Sequence, residues 1–164
     1  MRTLPITRRE LLRDSGRCAL ALALAGGAAA WLGAPGRARA DEVMAPESAL
    51  EKAQAGELLL VDIRRPSEWR ETGVAEPAVE ITMHDAAGPR GFLKAMVSAV
   101  DGDRSAPVAL ICASGVRTTW ASRFLAANGF SHVYNVKEGM LGRGGQSGWI
   151  RRGLPVRPCR SCES

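Results

Sequence analysis

Cys112 and Arg117 are the residues of this chain whose types and spacing can do covalent chemistry. They stand in Cys112-Ala113-Ser114-Gly115-Val116-Arg117-Thr118. Before them runs an apolar stretch, Val108 to Ile111, bounded by Pro107; after them Trp120, Phe124, Leu125 and Ala127 fall at helical spacing until Asn128-Gly129. Four apolar residues behind a proline are too few for a helix and read as a buried strand, and Asn-Gly stops the helix that follows. The pattern predicts strand, tight loop, helix, with the thiol at the strand's carboxyl end, where open α/β sheets bind ligands. Loop N–H groups, the positive end of the helix and a guanidinium five residues on all favour an anion at the sulfur. A helix terminus contributes roughly 0.3–2 kcal/mol and a pKa unit is about 1.4 kcal/mol, so a thiol starting near 8.5 is expected to reach about 7 or below. Cys112 is therefore expected to be a thiolate nucleophile at neutral pH, in place of the inert buried cysteine that a strand end commonly holds.

Three segments of the chain resemble the rhodanese family, in which a loop cysteine carries a sulfane sulfur as a persulfide. Cys112 to Thr118 looks like that family's active-site loop. Leu58 to Arg64 followed by Glu68-Trp69 resembles its first strand and Asp-x-Arg signature, here Asp62 and Arg64. Glu138-Gly139-Met140, Gly148-Trp149 and Gly153-Leu154-Pro155-Val156 resemble its closing segment. The three parts occur in the family's order and cover roughly residues 46–156. The resemblance implies a single α/β domain with a central parallel sheet and helices on both faces, the site loop lying between the central strand and the next helix. It implies a sulfurtransferase: Cys112 takes sulfur from a donor such as thiosulfate, and a thiol or cyanide accepts it. Cys112 and Arg117 act on the sulfur, Ala113, Ser114, Gly115, Val116 and Thr118 bind it, and Asp62 and Arg64 brace the site wall by pairing. No metal or organic cofactor is required. Thr72 to Ala78 departs from the family's usual Gly-His-Ile-Pro-Gly-Ala pattern, which leaves one pocket wall undefined.

Two other functions share these residues. Phosphatases of the same fold place Cys and Arg around a phosphate, but with one more residue between them than the four here; the shorter ring suits a single sulfur. The other is a sulfur carrier that docks on an exported redox partner and turns over poorly alone.

The formal charge of +5 suggests nucleic acid until its location is considered. Residues 1–40 carry seven arginines against Glu10 and Asp14, and the rest of the chain is neutral, so no nucleic-acid partner is expected. A basic start, an apolar run from Cys18 to Ala34 and Ala38-Arg39-Ala40 before Asp41 make a secretory signal. Thr7-Arg8-Arg9-Glu10-Leu11-Leu12-Arg13 resembles a twin-arginine leader. A periplasmic protein beginning at Asp41 is expected, touching membrane only during export; an uncleaved anchor is the alternative.

Elsewhere, helices are expected over Pro46 to Ala55, Pro66 to Glu71, Phe92 to Val100 and Arg117 to Asn128, and strands over Leu58 to Ile63, Val79 to Met83 and His132 to Val136. Gly139 to Gly148 lacks the Lys-Ser/Thr of a nucleotide loop and reads as a flexible connection before Trp149 packs down. His84 and His132 read as ordinary surface or strand-end residues. Residues 157–164 form a tail with Cys159 and Cys162, read as a local disulfide in a frayed end, with a sulfur-relaying pair near Cys112 and metal capture alongside a partner's ligands as alternatives.

Overall fold

The computed structural model describes residues 39–162. The leader lies outside the described residues, and only the junction expected at Asp41 falls within them. In chain order the elements are β1 (Arg39–Val43), α1 (Pro46–Gln54), β2 (Leu59–Asp62), α2 (Pro66–Thr72), β3 (Val74–Ala75), β4 (Val79–Glu80), α3 (Pro89–Ala99), β5 (Val108–Ile111), α4 (Val116–Ala127), β6 (His132–Val136), β7 (Gly142–Arg143), β8 (Gln146–Ser147) and β9 (Val156–Arg157).

A continuously apolar strand needs cover on both faces, and β5, buried at every residue, lies at the centre of a five-stranded sheet of order β1-β6-β5-β2-β4. All its pairings are parallel. Successive side chains leave a strand on opposite faces. Leu60, Ala109, Ile111 and Val136 accordingly pack with Ala49 of α1 and Trp69 of α2. Val61, Val108, Leu110 and Val133 pack with Phe92 and Met96 of α3 and with Ala121 and Leu125 of α4. The expected parallel sheet with helices on both faces is the one observed.

The differences are local. The strand expected over Val79 to Met83 is shortened to β4, although Ile81 N and Met83 N still donate to Asp62 O and Ile63 O at 3.1 and 3.2 Å. Helix α3 begins at Pro89, three residues earlier than expected, because a proline in the first turn has no N–H to leave unpaired. Strand β1 lies where the leader was expected to end. It pairs with β6, Glu42 opposite Tyr134 and Val43 opposite Asn135, and its register is interrupted between Arg39 and Glu42.

The tail is docked, and the frayed end expected from its composition is corrected. Strand β9 pairs antiparallel with β3, Cys159 and Cys162 form a disulfide, and Cys159 is buried among the residues around Trp69. What holds it is polar. Glu80 accepts hydrogen bonds from Arg157 Nη1 (2.6 Å), Arg160 N (2.9 Å) and Ser161 N (2.7 Å). Burial works against the charge on Glu80, but the donors at Ser161, Arg160 and Arg157 outweigh it and bring its pKa down to about 2. The glycine-rich connection is likewise ordered, as the hairpin β7–β8; Trp149 is fully buried beyond it and donates to Pro155 O at 2.9 Å.

Candidate active site

Cys112 follows β5 directly and is 1% exposed. The chain then turns through half-buried Ala113 and Ser114 to Gly115, whose φ of +80° begins α4. The backbone N–H of Gly115 donates to Cys112 Sγ at 3.2 Å. Thr118 Oγ1 stands 3.8 Å from the same sulfur and donates to Gly115 O at 2.9 Å. The amides of Val116, Arg117 and Thr118 head the helix with no carbonyl inside it to accept them, and they supply the positive end expected there. Val116 itself is 56% exposed at the rim.

The loop's backbone is fixed from outside. A Cβ on Gly115 would overlap the carbonyl oxygen of Lys137, and one on Gly139 would meet Cys112 O at 2.5 Å and Ala113 O at 2.6 Å. Gly139 has a φ of +65°; without a side chain it lets Met140 N and Leu141 N bond to Cys112 O and Ala113 O at 2.8 and 2.9 Å. The segment after β6 thus clamps the two carbonyls beside the thiol.

Arg117 is turned to a carboxylate that the spacing of residues did not reveal. Its Nη1 and Nη2 each donate to a Glu68 oxygen at 2.6 Å, joining α4 to α2 across the mouth of the loop. Arg117's pKa is raised, first by Glu68 and more weakly by the Cys112 sulfur. The guanidinium is thus shared between Glu68 and the sulfur, and the Gly115 N–H donates directly to the sulfur. His84 lies within electrostatic reach of Arg117 and Glu68. It is exposed, as expected of a surface histidine, and its pKa is lowered by what burial it has and then by the charges of Arg65 and Arg117.

Asp62 and Arg64 are both buried and paired to each other. Arg64 Nε donates to both Asp62 oxygens at 2.9 Å and Nη2 to Oδ2 at 2.7 Å. The remaining donors hold α2, through Thr72 Oγ1 (2.7 Å) and Gly73 O (2.6 Å). They brace the helix that carries Glu68. The disulfide packs in the cluster around Trp69 and Cys112 in the one around Phe92, while Cys162 lies against Pro66 at the start of α2. Among the described residues no group of His, Cys, Asp and Glu is arranged to hold a metal ion.

The Glu68–Arg117 pair makes a pH prediction. The Arg117 hydrogen bonds hold Glu68 at about 2, below its ordinary 4.5, against a smaller opposing effect of burial. A depressed carboxylate adds stability that is fully present above its unfolded pKa and is lost as pH falls through the folded one. After discounting for partial exposure, about 1–2 kcal/mol should disappear between pH 5 and pH 2. Urea midpoints for Glu68→Gln should show a correspondingly flatter acid limb than the parent; equal slopes would mean the pair contributes nothing.

A buried strand ending in a thiol, a glycine amide aimed at its sulfur and a helix amino terminus behind them define a loop built to hold an anion on Cys112. The chain belongs to the rhodanese-like domain family, whose model matches residues 45–142. It is 33% identical over 104 residues to a sulfurtransferase of Allochromatium vinosum, covering 63% of this chain and 82% of that one. It is 33% identical over 114 residues to the thiosulfate sulfurtransferase GlpE of Glaesserella parasuis, covering 68% and 88%. Among solved structures it is similar to Rv0390 of M. tuberculosis, with a TM-score of 0.57 and 26% identity over 73% of this chain and 98% of that one.

Proposed function

We propose that this protein transfers a sulfane sulfur through a persulfide on Cys112. The Cys112 thiolate attacks the outer sulfur of a donor of the thiosulfate type; the new S–S bond forms as the sulfur–sulfur bond of the donor breaks, and sulfite leaves with the electron pair. The terminal sulfur of the persulfide then bears the negative charge, and the amides at the head of α4 face it. A thiol or cyanide attacks that sulfur and returns Cys112 to thiolate, so the step divides into two easier ones with ping-pong kinetics. The observation that carries this reading is the Gly115 N–H directed at Sγ from a clamped loop. The relatives named as sulfurtransferases support it at the level of the family.

An intact-mass spectrum after incubation with thiosulfate tests it. One added sulfur, removable by cyanide, is expected; a mass that never changes with thiosulfate or polysulfide overturns the reading. Steady-state turnover then separates an enzyme from a carrier that holds sulfur for a redox partner.

We propose further that residues 1–40 export the protein folded to the periplasm. Paired arginines in such a leader are read by a receptor and not merely as charge, so Arg8→Lys with Arg9→Lys should leave the unprocessed chain in the cytoplasm. Normal processing of the double variant in cell fractions would remove the twin-arginine assignment.

A further inference from the structure

Cys159 and Cys162 close a bridge that the sulfur chemistry of Cys112 does not use. A cavity of about 480 Å³ adjoins it, with both cysteines in its wall beside Trp69, Gly73, Val156 and Pro158. The two sulfurs belong to unequally reachable residues: Cys159 is 8% exposed, within the cluster around Trp69, and Cys162 is half-buried. A nucleophile entering the cavity therefore finds Cys162 the more accessible sulfur, and Cys159 is the one that leaves.

The surroundings fit the reduced pair as well as the bridge. Glu80 Oε2 stands 3.7 Å from Cys159 Sγ, and Pro66 O stands 3.5 Å from Cys162 Sγ. A disulfide has no hydrogen to donate, so both acceptors gain a hydrogen bond only once the sulfurs are thiols. The Ser161 hydroxyl, 3.7 Å from Cys159 Sγ, can donate to that sulfur while it is a thiolate. Between the cysteines, Arg160 N and Ser161 N are held on Glu80 at 2.9 and 2.7 Å, so the sulfurs stay near each other when their bond opens. That nearness selects the reductant. Against a mixed disulfide with a monothiol, Cys159 is at high effective concentration and expels it, whereas a dithiol brings its own second sulfur to complete the reduction.

We propose that the Cys159–Cys162 bridge is a second reactive site, a disulfide that a dithiol, free or on a protein, reduces while the domain stays folded. One thiolate of the dithiol attacks Cys162 Sγ; a new S–S bond joins the two, the Cys159–Cys162 bond breaks, and Cys159 leaves as thiolate. The dithiol's second thiolate then attacks the dithiol's own sulfur in the mixed disulfide, and Cys162 leaves. The dithiol ends as a disulfide and the tail pair ends reduced by two electrons. The two protons lost by the dithiol reach Cys159 and Cys162 through solvent. The site is independent of the persulfide on Cys112.

The test uses the full chain with Cys18→Ser and Cys112→Ser, in which the tail cysteines are the only ones left. Dithiothreitol, reduced thioredoxin and 2-mercaptoethanol are applied at matched thiolate concentration, the products are alkylated with iodoacetamide, and intact mass counts the thiols. A dithiol should open the bridge at a rate that does not rise with urea below the unfolding transition, and 2-mercaptoethanol should leave at least ~10-fold fewer chains reduced. Opening by dithiothreitol alone assigns the site to small dithiols; opening by thioredoxin assigns it to a protein dithiol. Two further variants of the same chain locate the attack: Cys162 in Cys159→Ser should react with oxidised glutathione at least ~10-fold faster than Cys159 in Cys162→Ser. A bridge that opens only where urea unfolds the domain, a monothiol as effective as the dithiols, or Cys159 as the faster sulfur overturns the proposal.

Discussion

Cys112→Ser should abolish sulfur loading from thiosulfate altogether while leaving the domain folded. The hydroxyl occupies nearly the same space, and the Gly115 N–H and Thr118 hydroxyl near Sγ remain to satisfy it, so the exchange should cost no more than about 1 kcal/mol. A melting temperature within a few degrees of the parent and a mass that never gains sulfur are the expected pair of results. Sulfur loading that survived in the folded variant would place the carrier elsewhere, with Cys159 and Cys162 the remaining thiols of the described residues once reduced.

Gly115→Ala should be almost as damaging by a different route. Its φ of +80° strains any side chain, and the added Cβ would overlap the Lys137 carbonyl, so the backbone must move and carry the amide away from Sγ. Removing one donor from an anion hole costs about 10²–10³ in rate, and turnover with thiosulfate should fall at least ~100-fold. Gly56→Ala is the control: its φ is +71° but nothing lies within 4 Å of the added Cβ. It should lose about 1 kcal/mol of stability from backbone strain with unchanged activity. Equal turnover in Gly115→Ala and the parent would mean that the amide at 3.2 Å is incidental.

The central strand and the site loop were legible because their signals are local. Four apolar residues, a cysteine, a glycine and a helical repeat sit within twenty positions, and the physics of each needs only its neighbours. Glu68 was visible as part of a motif, yet nothing at a separation of 49 residues says that its carboxylate meets Arg117; that contact exists because the Asp62–Arg64 pair fixes α2. The docking of the tail was missed for a related reason. Residues 157–162 offer little to bury besides the cysteines, and their anchor, Glu80, lies about eighty residues away on a strand edge. Strand β1 was hidden by composition, since Arg-Ala-Asp-Glu-Val has one β-branched residue in five and is strand only through its parallel pairing with β6.

The cross-link in the tail spans only three positions, Cys159 to Cys162. In the chain-entropy view a ring this small restricts the unfolded ensemble by only about 2 kcal/mol, against about 3 for a fifteen-residue loop. The contacts of Glu80 and the β3–β9 pairing do not pass through the sulfurs, so they outlast its reduction. Opening the bridge therefore trims the domain's stability without dissolving its architecture, so the fold and its thiol loop can form with the tail cysteines reduced as well as oxidised.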